Sequence, residues 1–193
     1  CQRKRTMDPE NFDEYFNKTC NILIDQIDNL SNIASEFSSF AKASESKGVK
    51  MDIVEKLEST VELFASNSEE VSFSLNLNGH KHEYVLMDDK QILQVFNNLF
   101  RNAIQAIPDD RNGLVNVSLC LEDDNVLIEI RDNGCGIPPE NRAEMFRPNF
   151  TTKTSGMGLG LAIVRNILLA ARGDHWYESE VNVGTSFFVK TPL

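Results

Sequence analysis

The residues best placed to do chemistry fall into three groups. Asn98 and Asn102 stand one helical turn apart, between Gln94 and Gln105, beside an apolar ridge of Ile92, Val95, Phe96, Leu99, Ala103 and Ile107. Asparagine inside a helix costs roughly half a kcal/mol against alanine, so two at one core margin call for a reason. An amide oxygen is a hard, neutral donor, suited to a Mg²⁺ ion whose other ligands are waters and phosphate oxygens. Taken alone, the pair serves equally well as buried amides that satisfy neighbouring backbone groups. In the second group, Asp132 closes an apolar strand and leads into Asn133, Gly134, Cys135, Gly136, Ile137 and Pro138. A carboxylate there can accept from an exocyclic amino group such as that of adenine, and the glycines let backbone approach a flat ring. The same residues also make an ordinary Asp-Asn-Gly turn. In the third group, Gly156, Gly158 and Gly160 open a helix, where free amides and the positive end of the dipole bind phosphate. A dinucleotide fingerprint would follow its strand directly and space its glycines differently. Here a polar stretch from Phe150 to Ser155 precedes them, and its Lys153 and hydroxyls suit a lid over a triphosphate. The plainer reading of Lys153 is a solvated loop charge.

These groups need a scaffold. The ridge predicts a helix from about Asp89 to Ile107, stopped by Pro108. Upstream, Ser44 to Gly48 is a polar connector, and Asp52 caps an amphipathic helix with Val54, Leu57, Val61 and Phe64 on one face. The period then falls to two over Val71–Leu75, and Asn78-Gly79 reads as a hairpin turn into Tyr84, Val85 and Leu86. Further strands are expected at Val115–Leu121 and Val126–Arg131, joined through Asp123 and Asp124. A helix over about Leu159–Ala171 and strands around Trp176–Ser179 and Ser186–Lys190 complete the chain. This mixture predicts an α/β fold: a two-layer sandwich, with a mixed sheet carrying helices on one face. A long helix precedes it, started by Asp8, Pro9 and Glu10. Its seam of Phe12, Phe16, Thr19, Leu23, Gln26, Leu30, Ile33, Phe37 and Phe40 sustains a heptad repeat over about four heptads. Such a helix wants a partner helix, and an intermolecular bundle fits the period better than packing on its own domain. The expected boundary separates a helical segment, 1–43, from a globular domain, 44–193.

Composition excludes several classes. With 193 residues and 41% hydrophobic content, the chain can bury a core, and no stretch reaches the ~20 apolar residues that span a bilayer. The net charge of −10 argues against nucleic acid as a partner. Cys1, Cys20, Cys120 and Cys135 show neither paired nor metal-ligand spacing, which reads as reduced thiols in a cytoplasmic setting. The opening at Cys1 rather than Met, with Gln2-Arg3-Lys4-Arg5 next, reads as a piece of a longer chain, any sensor or membrane anchor lying upstream.

In this order and proximity the three groups resemble the ATP-binding catalytic domain of sensor histidine kinases, within the gyrase, Hsp90, histidine kinase and MutL superfamily. The resemblance runs from Asp89 to Leu193. Asn98 to Ala103 is similar to its N box, Asp132 to Gly136 to its G1 box, Phe146 to Lys153 to its F box and Gly156 to Gly160 to its G2 box. Gly184, Thr185, Ser186 and Phe187 resemble the late Gly-Thr element, and Phe12–Lys42 the second helix of the dimerisation and phosphotransfer hairpin. The nitrogen-regulation type of sensor kinase is the most similar. The resemblance implies a Bergerat-type ATP-binding fold with ATP and Mg²⁺ as cofactors. It implies that Asn102 ligates the metal with support from Asn98, and that Asp132 reads adenine with help from Thr185 through a water. Gly156, Gly158 and Gly160 would cradle the phosphates under a lid carrying Lys153. Gly134, Gly136, Ile137, Phe150, Thr152 and Leu159 are implied to line the nucleotide.

Position 98 separates the branches of that superfamily. Its hydrolytic members place a Glu there to activate water, and an amide cannot act as a general base. Transfer to a protein nucleophile is therefore expected. The acceptor of such kinases is a His followed by an acidic residue and soon after by a Pro, which His80, His82 and His175 do not match. The pair His80 and His82 reads as a solvated hairpin rather than a metal site, and His175 as structural. The implied partners are a helix carrying the acceptor His, on the same or a second subunit of a homodimer, and a response-regulator receiver domain. The implied location is a cytoplasmic domain of a parent anchored upstream of Cys1. Arg147, Asn149 and Asp174 depart from the family pattern, Asn149 standing where an aromatic is usual. The competing readings are a conformationally coupled ATPase, which needs a water-activating carboxylate elsewhere, and a dimerisation module with a degenerate nucleotide site. A serine kinase of the anti-sigma type fits the long N-terminal helix poorly.

Overall fold

Alternating apolar side chains set up the central sheet. In β4 (Gly113–Glu122), Val115, Val117 and Leu119 are buried, and Leu114 and Asn116, alternating with them, face out. In β5 (Asn125–Asp132), Val126, Ile128 and Ile130 are buried in the same rhythm. With β2 (Val71–Asn76), β6 (Asp174–Glu180) and β7 (Gly184–Pro192) they make a five-stranded sheet in the order β2-β4-β5-β7-β6. β2 runs parallel to β4, and every other neighbour is antiparallel. The computed structural model describes residues 15–24, 27, 48–68, 70–151 and 158–193. The chain divides into two compact units, Cys1–Ser38 and Ser39–Leu193. The boundary expected at 43/44 lies outside the described residues.

Three helices cover one face of this sheet. α3 (Asp89–Ala106) lies against β4, β5 and β7, with α2 (Ile53–Asn67) over β2 and α4 (Gly160–Ala170) over β6 and β7. The expected ridge of α3 is its core face: Ile92, Val95, Phe96, Leu99 and Ala103 are all buried. Phe100 is buried too, although it lies off that ridge. It meets Phe64 of α2 at 5.4 Å between ring centroids, Phe73 of β2 at 5.9 Å and Phe96 at 6.3 Å. This aromatic cluster fixes α2 and α3 over β2. α3 begins where the Asp88 carboxylate accepts from the N–H groups of Lys90 and Gln91, and ends at Ile107, which Pro108 keeps out of the helical region.

One expectation needs correcting. Asn78 and Gly79 do turn the chain, at φ 51° and 86°, with the His80 N–H donating to the Leu77 carbonyl over 2.9 Å. The flanking strands nevertheless do not form a hairpin. β2 pairs with β4, and β3 (Tyr84–Met87) pairs antiparallel with β1 (Val49–Asp52), a strand the sequence reading did not foresee. Phe73 holds β2 in register beneath α2 and α3, while Val85 and Met87 bury themselves beside Met51. The two strands thus answer to different packing partners, and local turn chemistry yields to them.

Asp52 caps α2 as expected. Its Oδ1 accepts from Val54 N–H at 3.0 Å and from Glu83 N–H at 3.3 Å, and its Oδ2 takes the His82 ring nitrogen at 2.6 Å. Burial works to raise the Asp52 pKa, but the His82 ring and the N–H groups of Glu83, Glu55 and Val54 outweigh it and hold the group below its ordinary value. A carboxylate with a lowered native pKa contributes stability above the unfolded value of 3.8, and loses it as pH falls through the native one. Asp52→Ala should therefore lower stability by about 1 kcal/mol at neutral pH, about 2–4 °C in Tm. Thermal unfolding should show the gap closing on acidification below that range, and a gap that persists in acid would refute the assignment.

Residues 15–24 form helix α1. Thr19, one of the polar interruptions of the heptad seam, turns its hydroxyl onto the Tyr15 carbonyl at 2.8 Å. Phe16 and Leu23 of that seam are exposed, as are Ile22, Ile24 and Ile27. Phe12, Gln26, Leu30, Ile33, Phe37 and Phe40 lie outside the described residues.

Candidate functional site

The candidate residues fall in two groups: the end of β5 meets β7 and the C-terminal end of α3, and the amide stripe of α3 meets the start of α4. Asp132 is the last residue of β5 and only 3% exposed. Its Oδ1 accepts from Gly134 N–H at 2.8 Å and from Thr185 N–H at 3.2 Å, which leaves Oδ2 for another donor. Burial pushes its pKa up, and the two N–H groups only partly offset that. Thr185 is thus brought to Asp132 by strand register: β5 and β7 pair the two residues, and the Thr185 N–H donates to the Asp132 carboxylate.

Beyond Asp132 the loop is held on several sides. Cys135 N–H donates to the Ala106 carbonyl at the end of α3, and the Cys135 carbonyl accepts from Asn182 N–H, both at 2.8 Å. Ile137 N–H donates to Ser179 Oγ at 2.8 Å, and that hydroxyl lies 2.9 Å from Thr185 Oγ1. Arg142 reaches the Ile137 and Ser179 carbonyls. Gly134 and Gly136 are buried in this lattice, whereas Cys135 between them is exposed.

Asn98 and Asn102 lie half-buried on α3, as the amide stripe predicts. Asn98 faces the first turn of α4: a Cβ added to Gly160 would sit 3.3 Å from its Oδ1. The Asn98 Nδ2 is buried with no hydrogen-bond partner. α4 itself starts at Gly160 behind Leu159, which is 4% exposed, with no side chain among the described residues capping the first turn and no acidic residue in it. An uncapped helix start leaves backbone N–H groups for an anion. Gly158 abuts the Phe150 backbone, and Phe150 packs on the core. Thr152, Lys153 and Gly156 lie outside the described residues. Asn149, one of the departures, has φ 65°, a left-handed conformation that asparagine tolerates and an aromatic does not favour.

The histidines serve elsewhere. His80 binds Glu83 at 2.8 Å and His82 binds Asp52, so the two rings engage different carboxylates. His175 is packed edge-on against Phe146 at 4.7 Å, and burial pushes its pKa down. No group of three His, Cys, Asp or Glu among the described residues could hold a metal. A Mg²⁺ site here would have to use neutral amide oxygens with phosphate and water, which is what α3 offers. Two contributors escaped the sequence reading: Arg111 and Ser179. Arg111 donates to backbone carbonyls far along the chain, and the Ser179 hydroxyl accepts from the distant Ile137 N–H, and spacing carries no signal of either.

A family profile described as histidine kinase-, DNA gyrase B- and HSP90-like ATPase matches residues 87–193, which span α3 to β7 and every described residue of this site. The chain belongs to this ATPase family. Within it, the chain is 28% identical over 181 residues to sporulation kinase E of Bacillus subtilis (strain 168), covering 90% of this chain and 23% of that protein. It is 32% identical over 160 residues to the nitrogen regulation protein NtrY of Azorhizobium caulinodans, covering 80% and 20%. The chain thus spans about a fifth to a quarter of the curated relatives it matches. The catalytic domain of the histidine kinase ThkA superposes with a TM-score of 0.68 at 29% identity, covering 76% of this chain and 96% of that one. ThkA in complex with the response regulator TrrA superposes at 0.70 and 25% identity, covering 96% and 52%. The family's α/β fold, with its mixed sheet and one-sided helices, is therefore the fold of this chain, and it is an ATP-binding fold.

Proposed function

We propose that this chain is the ATP-binding kinase domain of a two-component sensor. It would donate the γ-phosphate of Mg-ATP to a histidine on a helix outside this sequence, for relay to a response-regulator aspartate. The observation that carries this reading is Asn98. It lies against the start of α4, where phosphate would bind, and an amide there cannot deprotonate water. Phosphoryl transfer then rests on positioning and charge neutralisation. In this reading Asn102 ligates Mg²⁺ through its amide oxygen, with Asn98 supporting it. Asp132 Oδ2 accepts from the adenine amino group while Thr185 holds the other oxygen. The amides of Gly156, Gly158 and Gly160 cradle the phosphates, Lys153 and Thr152 form the lid, and Gly134, Gly136, Ile137, Phe150 and Leu159 line the nucleotide. Mg²⁺, which Asn102 would hold with support from Asn98, would offset the charge of the phosphates.

Residues 1–43 are proposed to form the second helix of a dimerisation hairpin, in a homodimer. The exposed apolar residues of α1 support that. The ThkA–TrrA complex supports a receiver domain as the second partner. Need for cytoplasmic ATP places the domain in the cytoplasm. No helix among the described residues is long and apolar enough to cross a membrane.

Incubation of the chain with ATP and Mg²⁺ tests this. Nucleotide should bind in a Mg²⁺-dependent way with only slow release of phosphate, and no phosphohistidine should form on His80, His82 or His175. Steady turnover on the order of 10 s⁻¹, typical of an enzyme, would place the chain with the hydrolytic members instead.

A further inference from the structure

Arg111 lies in the turn between α3 and β4, outside every family element named above. Its Nη1 donates to the carbonyls of Asn133 at 2.5 Å and Gly134 at 2.9 Å, and approaches that of Asn182 at 3.3 Å. These carbonyls belong to the two segments that flank Asp132. Asn133 and Gly134 follow it directly, and Asn182 sits in the β6–β7 turn that leads to Thr185. None of the three receives another hydrogen bond from the described residues. Arg142 pins the far end of the loop at Ile137 and Ser179. At the Asp132 end, Asn133 is tied to Leu114 and Asn112, and Cys135 to Ala106 and Asn182, and Arg111 is the side chain that joins this end of the loop to the β6–β7 turn. The turn is itself anchored, with Arg111 N–H on the Pro108 carbonyl at 3.0 Å. The side chain also borders an open cleft of about 300 Å³ with Glu70, Val71, Ile104, Ile107 and Asp109. Truncating it would enlarge this cleft rather than leave a sealed void in the core.

We propose that Arg111 is a positioning residue for base recognition: it clamps the loop after β5 to the β6–β7 turn and so fixes the Asp132 carboxylate that discriminates adenine from guanine. This rests on the reading of Asp132 as the adenine acceptor. Guanine presents a carbonyl where adenine presents an amino group, so a fixed carboxylate rejects it, and a loosened one rejects it less. All three contacts come from Nη1 at the tip of the long arginine side chain, a reach that the shorter lysine matches only in part.

The test is competition of ATP and of GTP against a fluorescent ATP analogue on the whole 193-residue chain. Arg111→Ala should narrow the ATP-over-GTP preference by about tenfold, and Arg111→Lys by less. Asp52→Ala, which weakens the fold far from the site, should leave the preference unchanged. An Arg111→Ala protein that loses thermal stability but keeps the wild-type preference overturns the proposal while the adenine reading stands. Should Arg111→Ala not fold, an unchanged preference in Arg111→Lys overturns it equally. If Asp132→Asn also keeps the preference, the adenine reading itself fails and the proposal falls with it.

Discussion

Asp132→Asn is expected to weaken ATP binding by about 10- to 100-fold, without loss of stability in the unliganded protein at neutral pH. The affinity loss follows from geometry. Oδ1 is committed to the N–H groups of Gly134 and Thr185, so an asparagine keeps its oxygen there and turns its NH₂ towards the ligand. A donor then meets the adenine donor, and a charge-assisted hydrogen bond of about 1.5–3 kcal/mol is lost. The stability argument has the opposite sign. Burial raises the native pKa of Asp132 above its ordinary 3.8, so the native state holds its proton more tightly than the unfolded chain. Stability is then lost as pH rises from below 3.8 through the native value. Asparagine avoids that cost, so the variant should gain on wild type as pH rises through this window. Titration calorimetry with ATP and thermal unfolding across pH check the two halves separately. Wild-type affinity in the variant would remove Asp132 from the site.

Gly136→Ala should lower stability by at least about 2 kcal/mol, or about 4–8 °C in Tm, and abolish measurable ATP binding. Gly136 has φ +70°, where an L side chain is strained by about 1–2 kcal/mol. Its new Cβ would also run into the Glu180 carbonyl, part of the backbone of β6, which cannot swing aside as a side chain can. The loop must shift, and through Gly134 N–H that shift reaches Asp132. Gly79→Ala is the matched control. Its φ is +86°, but nothing lies within 4 Å of the added carbon, so only the backbone strain remains and ATP binding should be untouched. Equal effects of the two substitutions on ATP affinity would rule out the contact with β6 as the cause.

Much of the site was legible because its parts are local. Asn98 and Asn102 announce themselves as costly residues in an otherwise good helix, and Asp132 by following an apolar strand. The start of α4 is marked by glycines. α3 and its core ridge were legible for a similar reason: helical period and terminating Pro108 act within a few residues. The hairpin expected at Asn78-Gly79 failed because turn chemistry selects a turn and not the partners of the strands beside it. Phe73 beneath Phe64 and Phe100 made that choice for β2.

Sequence by itself thus determined the three chemical groups, their order, the mixed α/β composition and an amide at position 98 in place of a base. Tertiary structure decided how these meet. It placed Thr185 opposite Asp132 by strand register, set Asn98 against the start of α4, and brought Arg111 onto carbonyls as far along the chain as Asn182. The physical reason is range. Capping, helical period and glycine conformation are settled between near neighbours. Hydrogen bonds to bare carbonyls are settled only once sheet pairing and core packing have brought distant backbone together.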